Sequence, residues 1–284
     1  MKKKKTFQRI VLYISLLVLA VIFLFPLVWM VVSSFKDDLQ IFRDMTSIQA
    51  FLPPMPGEAE GGYLENYIVA FERADLFRYI INSLIYTGGI IVTGLFVNSL
   101  AGYALARFRI PFMGIWLGII IATLIIPPES IFLPLYLLVF NLGWVNTFSG
   151  LIIPFIANAF AIFLFRQFFL DFPKELEEAA RIDGCSQIGT FFRIIVPLSK
   201  PVFATVAIVL FINHWNDFLW PLVVASDESI RTIQIGLQYF MNQEPVEWGP
   251  MMAALTVATI PMLFVFGFLQ RYYVQGLTHT GSKN

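Results

Sequence analysis

KELEEAARIDGCSQIGTFFRIIVPLSKP, Lys174 to Pro201, is the stretch on which the reading of the whole chain turns. It is charged, short-helical and broken by glycine, yet it lies between two segments apolar enough to cross a bilayer. Crossing a hydrocarbon core takes about 20 apolar residues. Six windows qualify: 10–33, 79–104, 114–138, 149–170, 201–223 and 251–273. With 58% hydrophobic and 13% charged residues in a chain of 284, and a mean hydropathy of +0.74, the expected class is an all-α, membrane-embedded protein of six transmembrane helices. The opening MKKKKTFQRI and the apolar run Ile10–Val32 lack a small-residue cleavage pattern, so an uncleaved first span is expected.

Charge then orients the chain. Placing the N-terminus in the cytoplasm puts Lys2 to Lys5, Arg9, Arg107, Arg109, Arg166, Lys174, Arg181, Arg193, Lys200, Arg271 and Lys283 on the inner side. Only Lys36, Arg43, Arg73, Arg78 and Arg231 remain outside, so 14 of 19 basic residues are inside and 5 outside. That bias predicts both termini in the cytoplasm. The outer tract 36–78, with FLPPMPGEAEGGYLENY, is long enough to cap the membrane face but too poor in core residues to form an independent domain. A second outer tract, 224–250, mixes acids with Tyr239, Phe240, Met241 and Trp248; it reads either as a docking surface or as an interfacial aromatic belt. The single cysteine, Cys185, excludes an internal disulfide framework.

Within the connecting stretch, Asp171 and Pro173 predict a helix start and Gly184 a stop, giving a helix over 173–183 about 16 Å long. Glu175, Glu177 and Glu178 favour its first half, and Arg181 follows Glu177 at i+4. Leu176, Ala179 and Ala180 form a narrow, small-residue face. A second helix carries Ile188, Phe191, Phe192 and Ile195 at i, i+3, i+4 and i+7, until Pro197 ends it. A small-faced helix held level with the membrane is suited to a groove on another protein; a solvated helical linker is the plainer alternative.

Glu178-Ala179-Ala180, three residues, Gly184, nine residues, Ile194, one residue and Val196-Pro197 together resemble the EAA loop of bacterial ABC importer permeases, with Val196 where the family pattern has Leu. The resemblance extends to NSLIYTGGIIVTGLFVNSLAGYALARFRIPF (Asn82–Phe112), WNDFLWPL (Trp215–Leu222) and the tail, and is strongest for the carbohydrate, maltose-importer-like branch. It implies the MetI-like type I importer fold, with one transmembrane domain over 1–284, a core permease region over 75–275 and a coupling loop at 171–200. It also implies that Glu178, Ala179, Ala180, Asp183, Gly184, Ile194 and Pro197 couple the chain to a cytoplasmic ATPase. The implied partners are a second, homologous permease, two ATPase subunits, an external solute-binding protein and a carbohydrate, in the bacterial inner membrane and with no nucleic acid.

Catalytic chemistry is not encoded. The string nearest to a phosphate loop, GLTHTGSK (Gly276–Lys283), has Ser before Lys and stands one residue from the end of the chain, and His214 and His279 are the two histidines, so neither an ATP site, a metal nor any other cofactor is expected. The chain reads as a non-catalytic permease. Polar residues inside spans carry the remaining signal, because burying an ionisable group in lipid is costly. Asn213, Trp215, Asn216 and Asp217, placed near the middle of span five, suit a sugar's hydroxyls and C–H faces; helix-to-helix hydrogen bonding is the competing reading, and His214 fits it better. Glu129, beside Pro127 and Pro128, either gates a pathway or reaches the outer interface. Asn82, Ser83, Asn98, Ser99 and Gly102 read as close helix packing. An ion-coupled secondary transporter would instead show inverted repeats, and a membrane scaffold would leave these polar residues without a path.

Overall fold

The computed structural model describes residues 2–55 and 62–281, with side chains for 6–55 and 62–270. Residues 56–61 of the proline-rich tract, the side chains of Lys2 to Lys5, and those of the tail, including Arg271, His279 and Lys283, lie outside the described residues. Every regular element described is helical. In chain order these are α1 (Lys2–Ser33), α2 (Asp38–Asp44), α3 (Glu65–Arg73), α4 (Leu76–Arg107), α5 (Met113–Thr123), α6 (Pro128–Asn141), α7 (Phe148–Ile152) and α8 (Ala159–Leu170). There follow α9 (Lys174–Ile182), α10 (Gln187–Thr190), a π-helical turn over Phe191–Ile195, α11 (Val196–Leu198), α12 (Lys200–Trp215), α13 (Leu219–Val224), α14 (Ile233–Met241) and α15 (Trp248–Gly281).

Among the described residues, three helices are long and apolar enough to cross a membrane by themselves: Thr6–Ser33, Leu76–Arg107 and Trp248–Gln270. The other expected spans are bent pairs. Met113–Thr123 meets Pro128–Asn141 at 97°, Phe148–Phe155 meets Ala159–Leu170 at 43°, and Gln187–Leu198 meets Lys200–Trp215 at 79°, so the count is six if each pair is one crossing. Hydropathy windows register length and apolarity but not direction, and the breaks fall where helix chemistry demands them. Pro127-Pro128 cannot continue a helix through residue 126. Asn158 starts α8 by accepting the Ala161 N–H at 2.9 Å.

The expected fifth span over 201–223 is corrected by the same logic. Its helix stops at Trp215, and Leu219–Val224 is a separate short helix. The Asn213–Asp217 cluster therefore sits at the end of a helix and not in the middle of a continuous one.

By contact, the chain forms two compact units: residues 1–77 with 236–260, and residues 78–235 with 261–284. In the first, the segment after α1 is held by a buried ion pair. Lys36 Nζ donates to Asp44 Oδ2 at 3.0 Å and to the Gln49 carbonyl at 2.6 Å, and both charged side chains are almost fully enclosed. Burial pushes the Asp44 carboxyl up, and hydrogen bonds from Lys36 and Arg43 outweigh it, so the carboxyl ends below its ordinary 3.8. Asn66 donates to the Ser34 and Lys36 carbonyls at 3.0 and 2.8 Å. Asp38 accepts the N–H groups of Trp248 and Gly249 at 3.0 and 2.8 Å, which neutralises two of the open donors at the start of α15. Of the aromatic set in the second outer tract, Phe240 is fully buried, Trp248 packs edge-on against Phe42 at 6.0 Å, and Tyr239 and Met241 stay exposed.

In the second unit, α4 is the element against which the others are fastened. Asn98 is completely buried; its Nδ2 donates to the Ile156 carbonyl at 2.9 Å and its Oδ1 accepts the Asn158 N–H at 2.8 Å. It thereby pairs the backbone groups freed where α8 begins, a necessity wherever a span is interrupted in hydrocarbon. Asn82 and Ser83 likewise bond backbone: Asn82 Nδ2 to the Ser229 and Arg231 carbonyls, both at 2.9 Å, and Ser83 Oγ to the Ile233 N–H at 2.7 Å. These residues are clamps on broken backbone, which refines the expectation of simple close packing.

Gly102 does serve packing. A Cβ there would press on Phe165 Cβ, on the Arg166 nitrogen and on the Ile162 carbonyl of α8. On the same helix, a Cβ at Gly88 would meet nothing within 4 Å. Gly102→Ala is therefore expected to destabilise the chain by about 1–3 kcal/mol through overpacking, and Gly88→Ala to leave stability equal or slightly raised. Thermal unfolding of the detergent-purified protein compares the two; equal midpoints would refute the α4–α8 contact.

Candidate functional site

The connecting segment forms one site. The expectation of a cap at Asp171 fails because Asp171 closes the last turn of α8, leaving Pro173 as the residue that precedes α9. Helix α9 ends as read: Gly184 has φ +81°, the left-handed conformation that glycine adopts without strain, and the Gly184 and Cys185 N–H groups return to the Arg181 and Ala180 carbonyls at 3.0 and 2.9 Å.

Successive side chains on α9 turn about 100°, so its faces follow from burial. Glu177 and Ala180 point inward, at 9% and 3% exposure. Glu178, Ala179 and Ile182 lie on the opposite side and are exposed, Ile182 by 86%. The expected face of Leu176, Ala179 and Ala180 is thus corrected: Ala180 packs beneath the helix while Ala179 and Ile182 are presented outward, with Leu176 at the edge. Asp183 and Gly184 are exposed at the end of the helix.

Glu177 proves to be the anchored residue of the segment. Its carboxylate accepts Arg107 Nε at 2.6 Å and the Tyr103 hydroxyl at 3.1 Å, and Arg107 also donates Nη2 to the Phe172 carbonyl at 2.6 Å. The expected i+4 pairing with Arg181 is replaced by these long-range bonds. Spacing along one helix could not disclose them, since the partners stand about 70 residues earlier, although ALAR at the end of an apolar span was a visible signal.

The second helix is also rearranged. Ser186 starts it, accepting the Gly189 N–H at 3.1 Å. A π-helical turn follows, and the buried face is rotated from the expected one toward Thr190, Phe191 and Ile195. Phe191 and Ile195 enter a core with Tyr103, Phe165, Phe169 and Val202, whereas Ile188 is 71% and Phe192 44% exposed. Ile194 is half-buried, and Pro197 does not end the helix but lies inside α11, ahead of the turn at Ser199.

The other predicted residues form a polar corner after α12. Asp217 accepts the Tyr86 hydroxyl at 2.8 Å and the Trp220 N–H at 3.4 Å; Tyr86 also meets His214 Nδ1 at 3.3 Å. Trp215 is 2% exposed, stacked on Phe211 with ring centres 5.4 Å apart. Asn216 donates to the Ile212 carbonyl at 2.8 Å, pairing an open group at the helix end. Asn213, Asn216 and Glu129 are exposed, with Glu129 in the first turn of α6 just past the sharp bend. The structure thus brings Asp217, His214 and Tyr86 together and buries Trp215 in the core. Among the described residues no group of His, Cys, Asp and Glu is arranged to hold a metal.

Residues 98–279 match the family described as the binding-protein-dependent transport system inner membrane component, and the chain belongs to that family. Its fold is the all-α, MetI-like permease fold. Among individual relatives, the probable ABC transporter permease protein YurM of Bacillus subtilis (strain 168) is 35% identical over 261 residues, 91% of this chain and 83% of that protein. The arabinooligosaccharides transport system permease protein AraQ of the same organism is 32% identical over 276 residues, 97% and 96% of the two chains. The sn-glycerol-3-phosphate transport system permease protein UgpE of Rhizobium meliloti (strain 1021) is 34% identical over 289 residues, 99% of each. The fold is shared, at a TM-score of 0.78 and 24% identity over 95% of this chain and 98% of the other, with a chain in the crystal structure of a bacterial ABC transporter involved in the import of the acidic polysaccharide alginate.

Tyr86→Phe is expected to lower stability by about 1–3 kcal/mol, because the enclosed Asp217 loses a partner. Asn213→Ala, at an exposed position, should stay within about 0.5 kcal/mol. Unfolding midpoints of the two variants check this, and a neutral Tyr86→Phe would show that the hydroxyl does not hold the corner.

Proposed function

We propose that this chain is the membrane-spanning permease subunit of an ATP-driven, binding-protein-dependent importer for a carbohydrate, an oligosaccharide or a polyol phosphate. The observation that carries the reading is the family match over residues 98–279, joined to relatives named as permeases of arabinooligosaccharide and sn-glycerol-3-phosphate systems. Its energy comes from two cytoplasmic ATPase subunits, a second, homologous permease completes the pathway, and an external solute-binding protein delivers the substrate. Both termini face the cytoplasm of a bacterial inner membrane, as the charge bias suggests.

In this reading α9 is the coupling helix. Its exposed Ala179 allows close approach of a partner, and burying Ile182 in that partner's groove would contribute about 1.5–3 kcal/mol of association. Glu178 beside them adds charge that fixes orientation more than affinity. ATP-driven closure of the two ATPase subunits draws the coupling helices together, and the spans shift between inward-open and outward-open arrangements. Asn213, Asn216 and Glu129 stay as candidates for the pathway, and Asp217 as the group that shapes it.

The reading is tested with the purified assembly in proteoliposomes, by measuring binding-protein-stimulated ATP hydrolysis across a panel of oligosaccharides and polyol phosphates. One class should stimulate hydrolysis; stimulation by none of them would remove the carbohydrate assignment. Proline cannot adopt the φ of Gly184, being fixed near about −65°. Gly184→Pro is therefore expected to retain membrane insertion and lose uptake, and normal uptake would remove the coupling role of α9.

A further inference from the structure

We propose that Arg107 is the positioning residue that makes α9 move as one body with α4, so that a push on the outward face of α9 reaches the membrane-spanning helices without slack. The inference rests on reading α9 as the coupling helix. Without a tether, α9 is joined to its neighbours at two corners, Phe172-Pro173 and the left-handed Gly184, and a nine-residue helix hung on two corners can swivel under load.

The tether is built from the end of a long rod. Helix α4 has 32 residues; at 1.5 Å each it is about 48 Å long, more than the hydrocarbon core of about 30 Å needs, and its last turn carries the charged Arg107. Tyr103 and Arg107, at i and i+4, share one face of that turn. Together they occupy both carboxylate oxygens of Glu177: Tyr103 on Oε2 and Arg107 on Oε1. The guanidinium then uses a second nitrogen on the Phe172 carbonyl, two residues before α9 begins. One side chain therefore grips the segment ahead of the helix and the helix itself, in a geometry that a planar fork can satisfy and a lysine ammonium cannot.

The grip lies on the face of α9 opposite to Ala179 and Ile182, so a load on the outward face is transmitted through the helix to α4. The Arg107 and Glu177 side chains are only 6% and 12% exposed. Enclosing two charges brings little net stability over an apolar pair of the same volume. What the ion pair adds is a single fixed position for α9, and that is the property a force-bearing joint requires.

The test uses the full complex with its ATPase subunits, spin-labelled at Val92 on α4 and at Arg181 on α9, both exposed. Distances between the labels are recorded without nucleotide and after trapping with ATP and vanadate. The native residue at 107 should give one narrow distance, the same in both states. Arg107→Gln should broaden the distribution and shift it on trapping, with Arg107→Lys between the two. A distribution for Arg107→Gln as narrow as the original in both states overturns the proposal. If Arg107→Gln does not assemble, Glu177→Gln and Tyr103→Phe, which keep the guanidinium, are read by the same criterion. A cysteine at Ala179 separates the two levels of inference. Failure to crosslink it to an ATPase subunit removes the coupling reading itself, whereas successful capture with an unchanged Arg107→Gln distance removes only the tether.

Discussion

No backbone donor or acceptor can be left open inside a bilayer, and three apolar helix pairs among the described residues are broken by bends of 43° to 97°. The rest of the structure depends on how that constraint is met. The helix Leu76–Arg107 meets it level by level. Asn82 and Ser83 bond the loop before α14, Tyr86 holds the corner after α12, and Asn98 bridges the break ahead of α8. Tyr103 and Arg107 seize the start of α9. Every polar side chain in this series ends on backbone or on one of two acids, Asp217 for Tyr86 and Glu177 for Tyr103 and Arg107, so this long helix acts as a jig on which the bent ones are assembled.

That arrangement explains why polar residues in the spans need no solute to account for them. Asn98, Asn82 and Asp217 are used by the fold itself, and the buried Trp215 is part of the core. The candidate polar groups left facing outward stand at two helix ends: Asn213 and Asn216 at the end of α12, and Glu129 in the first turn of α6, next to the 97° bend.

The number of apolar crossings and the short charged helix between the fourth and fifth were legible because length, hydropathy and the cap chemistry of Gly184 are local properties. The breaks were partly legible, since Pro127-Pro128 announces one. The rest depended on partners far along the chain. Glu177 was assigned to Arg181, four residues away, because sequence spacing offers only near neighbours, while its actual partners come from α4. The inward face after Ser186 differs for another reason: apolarity along one helix marks Ile188 and Phe192 as readily as Phe191 and Ile195, and which of them is buried is set by the packing of Tyr103, Phe165, Phe169 and Val202 around them. Ala180 turned inward because Glu177, three residues before it, is drawn to α4 and carries that face with it.

The corner at Ser199 has its own mechanical meaning. The 12 residues Gln187–Leu198 and the 16 of α12 meet at 79°, forming arms of about 18 and 24 Å at 1.5 Å per residue. Such a shape is a bell crank: displacement of the short arm's free end across its own axis emerges as a sideways sweep of the long arm's end, enlarged in the ratio of their lengths. The long arm ends at Trp215, beside the Tyr86–Asp217 pair, so a stroke of a few ångströms delivered near Ser186 would arrive at that corner at right angles to its original direction and slightly magnified.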